Sequence, residues 1–258
     1  MSIHDEPASS LSEWFTTPLG ARLLETELRY FDHELADVFG FNALQIGLPE
    51  HPYLRSNRIA FHCVSGIDGP VGLRSDPGAL ALQTASIDLV VLPHTLEFSV
   101  NPHQVLREVS RILMPEGHVV LSGFNPWSLW GARRLVSRRA NAFPWCGQFI
   151  NLPRIKDWMA LLGFELAGGR MCSYAPPLSS EKWSKRWGFM ESAGDRWWPF
   201  AGGVYYLHGV KRVTGMRLIT PQWKSVPVKK KALAPVPRKA NGRDDAMAAR
   251  SNHAGDAQ

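Results

Sequence analysis

One histidine of this sequence stands where a catalytic side chain would be useful. His94 follows Pro93 and the apolar run "IDLVVL", residues 87–92, which has the composition of a buried strand. Because an imidazole exchanges a proton near neutral pH, His94 is the candidate general base of the chain. The alternative is a residue with no part in proton transfer.

A single glycine marks a second candidate position. The stretch "NALQIGLPEHP", residues 42–52, brings a short apolar run to Gly47. This arrangement is typical of a first strand whose carboxyl end lies next to a bound nucleotide. The further glycines that usually follow in such a loop are missing here. Pro49 and Pro52 follow instead, so the connection over residues 48–57 has room for a turn or two of helix.

Two later segments are rich in aromatic residues. They read "FNPWSLWGARRLVSRRANAFPWCGQF" and "EKWSKRWGFMESAGDRWWPFAGG" and hold most of the ten tryptophans, together with Arg133, Arg134, Arg138 and Arg139. Such segments can hold a planar or hydrophobic ligand by stacking, or an anionic ligand through the guanidinium groups. In the alternative interpretation, the indoles pack against the sheet and "RRLVSRR" is a solvated helix face.

Length and composition predict a soluble, cytoplasmic protein. The chain has 258 residues, of which 45% are hydrophobic and 20% charged, enough for one large core or two small ones. No apolar run approaches the roughly 20 residues of a membrane span, and "MSIHDEPASS" lacks the features of a secretory signal. The three cysteines lack the spacing of a disulfide framework or a metal site, so we expect reduced thiols.

The positive charge is concentrated in the last part of the chain. Of the net charge of +6, residues 221–258 contribute eight Lys or Arg against three Asp. This tail has almost no large apolar residues, which predicts disorder. It could hold RNA or another polyanion weakly, or serve only as a solubilising extension.

The first half of the chain alternates helix and strand patterns. Thr17 and Pro18 can cap and begin a helix whose apolar stripe is Leu24, Leu28, Phe31, Leu35 and Val38, with Gly40 at its end. Strands are predicted at "ALQIG", "RIAFHCV" (residues 58–64) and "IDLVVL". The near-continuous apolar character of the third indicates a parallel sheet with helices on both faces.

The second half continues the alternation. Asn101 and Pro102 begin a helix that is followed by the strand "HVVLSGF", and "LPRIKDWMALLGF" forms a further helix. The last two strands, in "FELAGGRMCSY" and "GGVYYLHGVKRV", can pair as an antiparallel edge. The order predicts an open, doubly wound α/β sheet, in which ligands bind outside the carboxyl ends of the strands.

Residues 86–126 resemble a known family. The matching positions are Asp88, Leu96, Glu97, Arg107, Glu108, Val109, Arg111, Leu113, Pro115, Gly117 and Asn125. They are similar to the second half of a class I S-adenosylmethionine-dependent methyltransferase, of the type 11 domain. The resemblance extends more loosely from Leu44 to Arg212 and implies a Rossmann-like, seven-stranded, mostly parallel sheet with an antiparallel last strand.

The resemblance also implies a cofactor and the residues that hold it. S-adenosyl-L-methionine would meet Gly47 after the first strand, Asp68 near its ribose and Asp76 near its adenine amino group. Just past the fourth strand, Leu92, Pro93 and His94 would line the cleft. As alternatives, Asp68 and Asp76 are turn residues without a ligand. The aromatic segments stand where the family places an acceptor lid.

These features predict a methyltransferase that acts on a small-molecule acceptor. The first alternative is a methyltransferase-like binding or regulatory protein with weakened cofactor binding, favoured by the altered glycine loop. The second is an RNA-associated protein guided by the basic tail. The expected organisation is an N-terminal helical segment over residues 1–40 that packs on the domain, a methyltransferase-like domain over 41–220, and the tail 221–258.

Overall fold

The computed structural model describes residues 8–136, 142–177, 190, 194, 196–198 and 200–213. Two compact units divide the chain at Gly215, and all described residues belong to the first. Several predicted features lie outside the described residues. They are Arg138, Arg139, Trp183, Trp187 and the tail over residues 221–258.

The described chain is built around one seven-stranded sheet. The strands in chain order are β1 Asn42–Ile46, β2 Phe61–Gly66, β3 Leu73–Arg74, β4 Ile87–Pro93, β5 Leu113–Phe124, β6 Phe164–Cys172 and β7 Val204–Lys211. Their order across the sheet is β3-β2-β1-β4-β5-β7-β6. Only β7 runs antiparallel to its neighbours β5 and β6. The predicted α/β sheet with an antiparallel last strand is therefore confirmed.

Five helices accompany the sheet in the described part of the chain. They are α1 Leu11–Phe15, α2 Pro18–Leu35, α3 Pro102–Ile112, α4 Leu129–Val136 and α5 Leu152–Leu161. Two predicted caps are confirmed, because the Thr17 hydroxyl accepts from the Gly20 amide and the Asn101 side chain accepts from the Gln104 amide. None of the helices in the described residues has the length and hydrophobicity needed to cross a membrane.

The predicted stripe of α2 is partly wrong. Its buried face is Gly20, Leu23, Glu27, Phe31 and Leu35, whereas the predicted Leu24 and Leu28 are only half-buried. The helix ends at Leu35 and does not continue to Val38. The Asn57 side-chain amide explains this end, since it donates to the carbonyls of Leu35 at 2.6 Å and of Val38 at 3.0 Å.

The connection between β1 and β2 contains no helix. Residues 47–60 form turns, so the short helix that the sequence allowed there is absent. Tyr53, Leu54 and Ile59 from this connection are buried in the same core as α1 and α2. The N-terminal helices therefore cover the sheet where a crossover helix would otherwise pack.

Apolar residues on the two faces of the sheet form two cores. On one face, α1, α2 and the β1–β2 connection pack against Leu89, Val91, Val120 and Phe124. On the other face, α3 and α5 cover the alternate residues of the same strands, Leu92 among them. Because successive side chains of a strand point to opposite faces, the apolar run of β4 supplies both cores.

Candidate functional site

A cavity of about 580 Å³ opens at the carboxyl ends of the strands β1, β2 and β4. The strand order reverses between β1 and β4, since β2 and β3 lie on one side of this point and β5 lies on the other. In open α/β sheets this is the place where ligands bind. The volume lies in the range of pockets for small molecules and cofactors.

The loop after β1 forms one wall of the cavity and is held by a buried glutamine. The Gln45 amide nitrogen lies 3.1 Å from the carbonyl oxygen of Gly47 and 2.9 Å from those of Leu48 and His51. The Gln45 carbonyl oxygen accepts from the Tyr53 amide at 3.1 Å. One side chain thus bonds four backbone groups of the connection, and backbone bonds within its turns satisfy others.

Three cavity residues have backbone angles in the left-handed region. Gly47 has a φ of 87°, and the non-glycine residues Leu48 and His94 have φ values of 46° and 48°. Left-handed backbone in larger residues is strained and tends to occur at functional sites. His94 directly follows β4 and Leu48 lies two residues past β1, which supports a ligand site at this edge.

Asp76 lies in a short turn that α3 holds against the cavity. Its carboxylate accepts from the Gly78 amide at 2.7 Å, and the Gln104 side chain donates to the Gly78 carbonyl at 3.3 Å. Asp68 lies two residues beyond the end of β2 on the same cavity. Both aspartates are solvent-exposed, so their carboxylates are accessible to a ligand.

The His94 side chain lies beneath the cavity in a fully buried polar cluster. Its Nε2 atom is 2.5 Å from a Glu27 carboxylate oxygen, and its Nδ1 atom is 3.1 Å from a Glu97 oxygen. The Tyr53 hydroxyl donates to Glu27 at 2.9 Å, and the Phe124 amide donates to Glu97. Two carboxylates and one imidazole therefore share a site without water access.

This environment determines the protonation of His94. Burial alone disfavours the charged ring, but the negative charges and hydrogen bonds of Glu27 and Glu97 raise its pKa to about 10. At neutral pH His94 is an imidazolium that donates from both nitrogens. It has no lone pair for a substrate proton, so the general-base role suggested by the sequence does not fit this geometry.

The structure brings together most of the predicted site residues. Gly47, Asp68, Asp76, Pro93 and His94 all border the cavity. Leu92 does not, and its predicted place in the cleft is wrong, because its fully buried side chain points into the core beside α3.

Sequence reasoning missed several residues that build the site. Ser10 and Leu11, at the start of α1, line the cavity although they were assigned only to a packing segment. Glu27 and Gln45 were also missed. A charged residue at a core position of the α2 stripe was the signal available for Glu27.

The charge of the cavity favours a ligand that carries positive charge and no phosphate. Its lining includes the carboxylates of Asp68 and Asp76 and, among the described residues, no lysine or arginine. The polar neutral groups include Ser10, Thr95 and Gln104. Within the described residues, no cluster of three or more His, Cys, Asp or Glu side chains could hold a metal ion.

Comparisons with known proteins agree with this architecture. A family model described as a methyltransferase domain matches residues 66–121, from the end of β2 into β5. An S-adenosylmethionine-dependent methyltransferase of Thermotoga maritima has a similar fold, with a TM-score of 0.57 and 16% identity over 77% of this chain and 93% of that one. The chain therefore has the Rossmann-like fold of these methyltransferases, and residues 66–121 match the methyltransferase domain model.

Two further proteins extend the comparison. An S-adenosylmethionine-dependent methyltransferase of Archaeoglobus fulgidus aligns with a TM-score of 0.54 and 16% identity, covering 74% of this chain and 94% of that one. The uncharacterized protein YafS of Escherichia coli K12 is 33% identical over 155 residues. That alignment covers 59% of this chain and 65% of the length of YafS.

Proposed function

We propose that the methyltransferase domain binds S-adenosyl-L-methionine in the cavity and transfers its methyl group to a small-molecule acceptor. The observation that carries this proposal is the position and charge of the cavity. It lies at the strand-order reversal of a class I methyltransferase domain, and its accessible charges are carboxylates. A ligand with a sulfonium and an ammonium group suits such a lining, whereas a dinucleotide would bring phosphates without a cationic partner.

The residues around the cavity match the polar groups of this cofactor. Asp76 is proposed to accept a hydrogen bond from the adenine amino group, and Asp68 from the ribose hydroxyls. Gly47 lets the backbone approach the amino-acid end, since its Cα carries no side chain toward Thr95. The bound cofactor would supply a methyl group on a positively charged sulfur.

The protein itself contributes position and shape. Leu11, Ile67, Phe98 and Phe143 give the cavity an apolar portion, which is proposed to exclude water and orient the acceptor. Methyl transfer is an in-line displacement that gains mainly from proximity. Because His94 is already protonated, we propose an acceptor whose nucleophile needs no histidine base.

Calorimetric titration with S-adenosylmethionine and its demethylated product tests the cofactor assignment. We expect a dissociation constant in the micromolar range, about −8 kcal/mol. Asp76→Asn should weaken binding about tenfold, because it removes a charged acceptor. Asp157→Asn, an exposed aspartate on α5, is the matched control and should bind like wild type. An absence of heat at about millimolar ligand would refute the assignment.

The helix-free β1–β2 connection favours a second candidate, a methyltransferase-like binding or regulatory protein. The two candidates differ in turnover. The binding or regulatory protein would be supported if the chain bound the cofactor but released no demethylated product with any amine, hydroxyl or carboxylate acceptor tested. Nucleic-acid binding by residues 221–258 stays a prediction, tested by deleting the tail and measuring salt-sensitive RNA retention.

A further inference from the structure

A cluster of exposed aromatic and aliphatic side chains lies beside the end of β5. We call it the tryptophan edge and define it by Trp127, Leu129, Leu135, Trp197, Trp198 and Phe200. Their exposed fractions run from 45% for Leu129 to 84% for Leu135, and all three tryptophans are at least 66% exposed. Exposed indoles in this number are unusual, because a solvated surface gains nothing from them.

Hydrogen bonds hold the parts of this edge together. The Asn125 amide nitrogen donates to the carbonyls of Phe200 and Gly202, both at 2.9 Å, and the Asn125 carbonyl oxygen accepts from the Trp127 amide at 3.0 Å. Phe124, at the end of β5, pairs with Val204, at the start of β7. The tryptophan edge therefore lies at the same end of the sheet as the cavity.

The helix α4, which begins five residues after the end of β5, also exposes apolar side chains. Leu129, Ala132 and Leu135 follow one another at spacings of three, which places them on one face of the helix, and all three are exposed. Trp130 from the opposite face is buried in the core. The helix thus presents an apolar face to solvent while a second apolar face anchors it to the sheet.

Arginines are the charged side chains among the described residues of this region. Residues 117–156 contain no Asp or Glu, and α4 carries Arg133 and Arg134, which are half-buried over the rings of Trp145 and Phe149. Arg196, which directly precedes the two exposed tryptophans, is exposed. The neutral polar side chains of this region already have partners within the protein, since the Asn125 amide and the Ser128 hydroxyl donate to backbone carbonyls. The surface offers aromatic rings and the exposed Arg196, without carboxylates among the described residues.

We propose that the tryptophan edge docks on the surface of an anionic lipid bilayer. Indole rings settle at the boundary between headgroups and acyl chains, and arginines pair with lipid phosphates. A protein interface would be expected to surround such a hydrophobic centre with polar groups of both signs. This inference concerns a surface outside the cofactor cavity, and it stands whether or not the domain transfers a methyl group.

Vesicle co-sedimentation of the full-length chain tests the proposal. We expect binding to vesicles of phosphatidylcholine with about one third phosphatidylglycerol, and much weaker binding to phosphatidylcholine alone. The partition coefficient of the double variant Trp197→Ser/Trp198→Ser should fall about tenfold or more, because the variant lacks two indole rings that would be buried in the membrane. Circular dichroism should show an unchanged fold, since both side chains are exposed.

Phe39→Ser/Phe41→Ser is the matched control. These two phenylalanines are 68% and 82% exposed but precede β1, at the opposite end of the sheet. Their removal should leave the partition coefficient within about twofold of wild type. If the tryptophan variant and wild type bound vesicles equally, the proposal would be overturned. The vesicle contact would then be assigned to the basic tail, which both proteins retain. The proposal would also be overturned by a change of oligomeric state in the tryptophan variant, measured by light scattering, with vesicle binding unaltered.

Discussion

Replacement of Glu27 by glutamine tests the buried polar cluster most directly. The change keeps the shape of the side chain and its hydrogen-bonding reach, but removes one of the two negative charges beside the His94 imidazolium. The Tyr53 hydroxyl also loses a charged acceptor. Since all three side chains are buried, water cannot replace the lost charge.

The size of the effect follows from the burial. Glu97 still pairs with the imidazolium in the variant, so the loss is that of the charged acceptor for His94 and Tyr53, on the order of 1.5 to 3 kcal/mol. We therefore expect the free energy of unfolding of Glu27→Gln to fall by about this amount near pH 6. The exposed Glu25→Gln, on the same helix, is the control. Its pair with Arg29 is long, at 4.0 Å, and side-chain exposure is about 70% for both, so the change should stay within about 0.5 kcal/mol.

The pH dependence gives a second, independent signature. The His94 pKa is about 10 in the folded protein against 6.5 for a free side chain. The folded state therefore holds a proton that the unfolded state releases above pH 6.5. The contribution to stability is complete below that pH and declines by about 1.4 kcal/mol per pH unit until the folded pKa is reached.

Urea denaturation between about pH 6 and 9 measures both signatures. In Glu27→Gln only one carboxylate supports the imidazolium, so the folded pKa is lower and the decline with pH is shallower. The difference between wild type and variant should shrink as the pH rises. A difference that stays constant over this range, or that Glu25→Gln reproduces, would contradict a charged His94.

Three further predictions concern other residues. Gln45→Leu removes the side-chain bonds to three loop carbonyls and to the Tyr53 amide, while the Leu48 and His51 carbonyls keep backbone donors. We expect a loss of about 1 to 3 kcal/mol in urea denaturation together with weaker cofactor binding. Gly47→Ala places a side chain at a φ of 87°, which should cost about 1 to 2 kcal/mol and lower the calorimetric affinity for S-adenosylmethionine. Burial and the neighbouring His208 lower the pKa of His118, so wild-type stability should decline as the pH falls below about 6.5, and thermal melts of His118→Gln should show a smaller decline.

The sequence allowed the sheet to be predicted because local signals and burial agree there. Thr17 and Asn101 cap helices as expected, and β4 carries the continuous apolar character of a strand covered on both faces. The place of the cavity followed from the strand order alone. Asp76 lies at the cavity because the third strand ends two residues before it.

The rest depends on contacts between residues far apart in the chain. His94 has the type and position of a general base, and the carboxylates of Glu97 and of Glu27, which lies 67 residues earlier, remove that role. The helix-free connection after β1 is stable because Gln45 replaces helical hydrogen bonds with side-chain ones. The periodicity of apolar residues does not predict such contacts, because each contact is made by a single polar side chain.

The buried bond between Glu27 and His94 also bears on how the protein folds during synthesis. Glu27 leaves the ribosome long before His94, so its carboxylate has the Tyr53 hydroxyl but no imidazolium partner while the first half of the chain is being made. We expect the helices that are synthesised first to join the structure late, after β4 and β5 have paired. Until then the apolar side of α2 is exposed in the nascent chain, where chaperones that bind apolar segments can reach it.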